Sequence, residues 1–295
     1  MKKLFFAIAI MAALVGCKNN NEPTSGDNPT PSGKDTTAVD PAFDAIVVST
    51  EAENRKAVIE EYTGINCGYC PDGHRIVNEV MAEYPGQVFG LNIHAGSYAA
   101  QYKTSDGTKY MNDAGPTGFP TGVVNRHVFS GTNMCVDRSA FKSKCLKIMK
   151  MSSPVNIGAT AEINKATREL TVLVKGYYTG APEEGVTTNS LYVLLVQDSV
   201  MGKQSGGSTY NPDQMIDGQY CHMHMFRGAI SATWGDEISP IAAGSWFTKK
   251  YVYTIPETIG TDKVATVLEH MHVLIYVAAG KREIYTVAKP DVVLK

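Results

Sequence analysis

Two thiols at a turn carry the most chemistry in this sequence: Cys67-Gly68-Tyr69-Cys70. They follow the apolar run Ala57-Val58-Ile59 and open an amphipathic run of Ile76, Val77, Val80, Met81 and Tyr84. That pattern predicts a strand-to-helix turn. Unpaired backbone N–H groups and the helix dipole at such a turn favour a thiolate. Cys67 is then the nucleophile, and Cys70 can close a disulfide with it. The same spacing also forms half of a zinc site, but no second CxxC is present to complete one.

The elements around the two thiols follow from local pattern. Ala45 to Ser49 reads as a short edge strand, Ala57 to Tyr62 as the strand before the turn, and Gln87 to His94 as another. Residues 96–115 are polar and punctuated by glycine, with a short helix near Tyr110-Met111. Gly118-Phe119-Pro120-Thr121 then leads into a strand, and Ser139 to Met149 has helical spacing. Alternation of strands and helices predicts an open α/β sheet. This part resembles the thioredoxin superfamily, in the strand leading into the CxxC and in the proline before Thr121. The resemblance implies a cis Pro120 lying against the thiols and a substrate surface at Gly118, Phe119 and Tyr69. Glu61, six residues before Cys67, matches a buried acid that moves a proton to and from the second cysteine. Its alternative is a pair of solvated carboxylates, Glu60 and Glu61, at a strand end. Burial of Glu61 would raise its pKa into a useful range. His74 reads as a solvated residue of the first helical turn.

Composition changes after Ser152, where short alternating segments take over: 155–163, 170–174, 190–199, 219–230, 246–255, 270–279 and 283–288. Seven short strands with regular turn signals predict an all-β immunoglobulin-like sandwich at 153–295, after a thioredoxin-like domain at 43–152. Residues 201–218 form a long Gly/Ser loop, either functional or flexible. His222 and His224 alternate on an expected strand and would share a face. With His270 and His272 they could offer imidazoles to zinc or copper; the other reading is a polar outer strand face. No resident metal or cofactor is expected.

Lys2-Lys3 and the apolar stretch Leu4 to Val15 form a signal-peptide pattern too short to span a bilayer. Leu14-Val15-Gly16-Cys17 resembles the lipobox of bacterial lipoproteins. That implies a signal peptide at 1–16 and lipidation of Cys17, with palmitate among the acyl chains. Residues 17–42 are polar and aperiodic, and read as a disordered tether. The near-balanced charge, formally −2, and the lack of a basic stripe argue against nucleic acid. Of six cysteines, Cys135, Cys145 and Cys221 are left over, either as a Cys135–Cys145 bridge with one free thiol or as buried thiols.

As a whole, the chain resembles the Bacteroidota twenty-eight-kilodalton outer-membrane lipoprotein family. The resemblance rests on the lipobox, the polar tether, the CxxC with its later proline, and His222, His224 and Arg227 in a β-region. It implies an outer-membrane lipid anchor on the periplasmic face or cell surface. Two functions remain open: a thiol–disulfide oxidoreductase acting on extracytoplasmic protein thiols or disulfides, and a surface binding or adhesion protein with a structural disulfide. A surface ligand of the β-region would be a further partner.

Overall fold

The computed structural model describes residues 41–181 and 183–295. The expected signal peptide, Cys17 and the tether as far as residue 40 lie outside the described residues. In the first half, β1 (Ala57–Thr63) leads into α1 (Cys70–Glu83), followed by β2 (Val88–His94), α2 (Ser105–Ala114), β3 (Thr121–Val124), β4 (Cys135–Asp137) and α3 (Phe141–Ile148). β1 is parallel to β2 and antiparallel to β3, which pairs with β4. All seven residues of β1 are buried, as befits a central strand covered on both faces. Thr104 caps α2 by accepting from the Gly107 N–H, and Gly115, at φ +64, closes it.

The second half is all strand apart from short helical turns. It comprises β5 (Val155–Asn164), β6 (Glu169–Tyr178), β7 (Asn189–Gln197), β8 (Val200–Gly202), the single turn α4 (Gly207–Tyr210), β9 (Met215–Ile216) and β10 (Gln219–His222). Then come β11 (Met225–Ala229), β12 (Asp236–Ile238), β13 (Trp246–Thr254), β14 (Thr258–Ile259), β15 (Val264–Ala265), β16 (Met271–Ala279), β17 (Arg282–Ala288) and β18 (Val292–Leu294). The fold is therefore mixed α/β, mostly strand.

One nine-stranded sheet crosses the expected boundary at 152/153. Its order is β17-β16-β7-β11-β2-β1-β3-β4, with β12 also on β7. β11 joins β2 in parallel through one register pair, Met225 with Asn92. Side chains and backbone supply the rest of that seam. The Asn92 N–H donates to His224 O at 2.7 Å, and Asn92 Nδ2 donates to Met223 O at 2.9 Å. At a second junction, between β1 and β17, Asn125 Nδ2 bridges Lys56 O and Ile284 O, while its Oδ1 accepts from the Val58 N–H.

Alternation on β7 explains how the layers pack. Leu191, Val193 and Leu195 enter a core with the four-stranded sheet β13-β6-β5-β18. The intervening Tyr192, Leu194 and Val196 enter a second core with Leu91, Ile93 and Tyr110. A third core sets Val77, Val80, Phe141 and Ile148 of α1 and α3 against Ala57 and Ile59 of β1. Residues 45–49 pair in no ladder. Ile46 instead packs with Phe43 and Leu173, and Asn156 Nδ2 holds Ser49 O at 2.9 Å. Among the described residues no helix is long and apolar enough to cross a membrane, which says nothing of a β-barrel.

A buried ion pair locks the two halves together. Arg126 donates from Nε and Nη2 to Glu60 at 2.8 and 2.7 Å, and Tyr276 donates to Glu60 Oε1 at 2.7 Å. The guanidinium also lies 4.7 Å from the ring centres of both Tyr110 and Tyr192. Arg126→Met would leave Glu60 buried without its cation. We expect a loss of about 3–5 kcal/mol in urea unfolding. The double variant Glu60→Leu/Arg126→Met should recover most of that loss, because both charges are then gone.

Candidate functional site

The turn after β1 carries Cys67 and Cys70 as a disulfide, with their Cα atoms 5.5 Å apart. Cys70 begins α1, and Pro71 occupies its first turn, where no N–H is needed. Cys67 is 6% exposed and Cys70 fully buried, while Tyr69 between them is 57% exposed. The Phe119-Pro120 peptide bond is cis.

Glu61 of β1 is fully buried, with neither carboxylate oxygen hydrogen-bonded. The alternative of two solvated carboxylates is thereby excluded: Glu60 is paired with Arg126, and Glu61 is buried alone. Burial lifts its pKa well above the ordinary value, against a weaker lowering by the charge of Arg138. Room for the carboxyl comes from Gly73 in α1. A Cβ there would stand 2.0 Å from Glu61 Oε1 and 3.1 Å from Pro120 Cβ. Glu61, Gly73 and Pro120 thus meet under the first turn of the helix.

Beside this cluster runs a cleft of about 470 Å³ lined by Gly96, Tyr98, Met111, Pro116, Gly118 and Phe119. The Tyr98 carbonyl accepts from the Asn66 N–H at 3.2 Å, which ties the cleft wall to the residue before Cys67. The structure therefore brings together Cys67, Cys70, Glu61, Pro120, Phe119, Gly118 and Tyr69.

The second half contributes a cover. Gln204 Nε2 donates to Cys67 O at 3.0 Å and to Gly64 O at 3.3 Å. The Ser205 N–H donates to Ile65 O at 2.8 Å, and Tyr210 packs on Tyr69 with ring centres 5.2 Å apart. Gly206, at φ +73, must be glycine, because a Cβ there would lie 2.0 Å from Gly68 O. The Gly/Ser loop is thus folded onto the CxxC turn. Its punctuation was visible in the sequence, but its destination was not.

Behind α1 lies a buried histidine cluster. His74 is not solvated: its Nε2 is 2.8 Å from Thr63 Oγ1, and its Nδ1 is 2.9 Å from the Tyr220 hydroxyl. His222 packs edge-on to His94, with ring centres 5.3 Å apart, and to Tyr102 at 5.1 Å. Burial lowers His74 to about 3, His222 to about 4, and His94 well below its ordinary value. His222 and His224 do not share a face, because His224, at φ +54, breaks the strand between β10 and β11. His224 turns instead to Asp198 and His272. Arg227 is buried, and its Nη2 donates to Val264 O at 2.9 Å, which anchors the β14–β15 hairpin. Cys135, Cys145 and Cys221 are free thiols, so the Cys135–Cys145 bridge does not form.

Two outcomes follow from this geometry. Alanine at an ordinary helical glycine gains about 1 kcal/mol. Gly73→Ala should instead lose roughly 1–3 kcal/mol through overpacking against Glu61, and Glu61→Ala in the same chain should relieve most of it in a double-mutant cycle. The second concerns pH. The three buried histidines have folded pKa values below their unfolded value near 6.5, so their contribution is full above that pH and is lost as pH falls toward 3. Each adds a slope of up to about 1.4 kcal/mol per pH unit. Glu61 has the opposite sign, its contribution fading as pH rises above 4.5. Glu61→Gln should therefore raise the melting temperature, increasingly so as pH rises above 4.5.

The comparisons with known proteins bear on this arrangement. Residues 108–284, more than half of the chain, match the family model described as Outer membrane protein Omp28. No curated protein matches the chain. The fold is similar to HBP35 of Porphyromonas gingivalis, at TM-score 0.64 and 20% identity over 81% of this chain and 76% of that one. A domain of the outer membrane lipoprotein Omp28 from Porphyromonas gingivalis aligns at TM-score 0.30 and 20% identity, over 48% of this chain and 91% of the domain. Protein AGR_C_4864 from Agrobacterium tumefaciens aligns at TM-score 0.44 and 15% identity, over 81% and 95%. Of these likenesses, the first bears on the fold. The family match runs from within α2 through the Pro120 segment and most of the strands of the second half, and on it the chain belongs to the Omp28 family of outer-membrane lipoproteins.

Proposed function

We propose that this outer-membrane protein is a thiol–disulfide oxidoreductase acting on extracytoplasmic proteins, held to the membrane by lipid on Cys17. The observation that carries the reading is Glu61: a buried, unpaired carboxyl against Gly73 in the first turn of the CxxC helix, which Pro120 also meets. An orphaned acid of this kind costs stability, so it needs a use. The sheet order β2-β1-β3-β4 supports a thioredoxin-like reading of residues 43–152, because the CxxC helix follows β1 and Pro120 precedes β3. The two packed sheets of the second half support an immunoglobulin-like sandwich at 153–295 that shares strands with its neighbour.

The chemistry is thiol–disulfide exchange. A substrate thiolate attacks Cys67 Sγ, the Cys67–Cys70 bond breaks, and Cys70 leaves as a thiolate. The neutral Glu61 carboxyl gives its proton to that thiolate. A second substrate thiolate then attacks the substrate sulfur of the mixed disulfide and releases Cys67. The substrate dithiol has lost two electrons and the CxxC has gained them; the reverse sequence reduces a substrate disulfide. Tyr69, Gly118 and Phe119 line the approach, and Phe119 extends it into the cleft toward Tyr98.

The cover over the turn favours a second reading. With both sulfurs buried and Cys67 O held by Gln204, the disulfide could brace a surface binding or adhesion protein. Capture experiments separate the two. In the reducing direction, where the Cys67 thiolate attacks a substrate disulfide and Cys70 resolves the mixed disulfide, Cys70→Ser in the full chain should accumulate mixed disulfides through Cys67, and Cys67→Ser should not. In that direction Glu61 takes the Cys70 proton, so Glu61→Gln should slow resolution by about 100-fold while sparing the first attack by Cys67. Failure of Cys70→Ser to capture any protein, with reduction lowering stability alone, would leave the binding reading standing. Separately, Cys17→Ala should release the protein from the membrane fraction, and its retention there would refute the lipid anchor.

A further inference from the structure

Away from the thiols, three strands bring three metal-ligating side chains to one point. Asp198 follows β7, His224 precedes β11, and His272 is the second residue of β16. The register does this directly. Gln197 pairs with both Met225 and Met271, and His272 pairs with Val196. His224 Nδ1 lies 3.2 Å from Asp198 Oδ1, and His272 Nδ1 lies 3.5 Å from Asp198 Oδ2. The three ligand atoms all fall within 4.8 Å of one another.

The His224 contact is at the long end of a hydrogen bond, and both separations fit a shared cation. The His272 contact is longer than an N–H···O bond. Two donor atoms about 2.0–2.1 Å from one tetrahedral zinc stand roughly 3.3 Å apart. The carboxylate is held by the backbone, because the His224 N–H donates to Asp198 Oδ1 at 2.6 Å. His224 holds φ +54, a left-handed conformation that costs a non-glycine residue about 1–2 kcal/mol and turns its ring out of the strand alternation. The partners are chemically coherent too: two imidazoles and one carboxylate suit zinc and its divalent neighbours, and leave a coordination position open.

We propose that Asp198, His224 and His272 bind one divalent transition-metal ion of the zinc class. The ion clasps β7, β11 and β16 at the seam where the second half meets β2, since the carbonyl of His224 is itself bonded to Asn92. The site is separate from the thiol chemistry and stands whether or not that reading holds.

The test uses the full chain in detergent, with Cys67–Cys70 oxidised, stripped by a chelator and titrated with zinc chloride by calorimetry. One ion per chain should bind at about micromolar Kd or tighter and raise the melting temperature. Asp198→Asn and His272→Ala should each weaken binding at least about 100-fold, beyond the loss typical of an outer-shell partner. The exposed neighbour His270→Ala should leave it unchanged. Cobalt(II) should give visible bands without thiolate charge transfer, which excludes Cys135, Cys145 and Cys221 as ligands. Circular dichroism establishes that each variant is folded; if one is not, the cobalt spectrum of the unaltered chain and the His270→Ala control decide. Zinc binding weaker than about 100 micromolar, equal affinity in a folded Asp198→Asn or His272→Ala chain, or a thiolate band would overturn the site.

Discussion

Two adjacent carboxylates in one buried strand set the terms for the rest of this molecule. Glu60 and Glu61 sit side by side in β1, both wholly out of solvent, and alternation sends them to opposite faces. Glu60 is satisfied by Arg126 and Tyr276, in a ring of tyrosines drawn from α2, β7 and β16. Its desolvation is offset only because the second half supplies part of that ring. Glu61 has no partner and avoids the same penalty by staying neutral. One face of β1 therefore holds the halves together, and the other carries an unpaired acid against the first turn of the CxxC helix.

The same joining explains why the thiol site is not the property of the first half alone. β11 continues the sheet beyond β2, and the segment from Gln204 to Tyr210 covers the CxxC turn. His74 of α1 reaches Tyr220 of β10. A change in the second half can thus be felt at Cys67 through a short chain of hydrogen bonds. Membership of the Omp28 family places this arrangement at the outer membrane, an oxidising compartment in which a CxxC persists as the disulfide seen here.

Most elements were legible because their periodicity is strong. The strand–turn–helix around Cys67 and the strands of 155–178 and 270–288 appear where the pattern put them. The layering was not legible. Leu191 to Val196 is continuously apolar, which marks a strand buried on both faces, yet among short alternating neighbours it read as one more sandwich strand. The break at His224 was hidden because only a backbone φ of +54, invisible in a residue list, separates β10 from β11. Within the site, Gly73 did carry a signal: an isolated glycine in a helical pattern implies a close approach. That the approaching group is the Glu61 carboxyl required the fold. Asp198 had no local signature, because its partners are 26 and 74 residues away in sequence.

The central claim is that the Cys67–Cys70 bond is there to be exchanged rather than to brace the turn. The reduction potential of the pair tests this most directly, measured by equilibrating the full chain in glutathione and dithiothreitol buffers and alkylating the free thiols. An exchanging pair predicts a value between about −270 and −120 mV, the span of working dithiol oxidoreductases. A value below about −300 mV, typical of structural disulfides in secreted proteins, would contradict it.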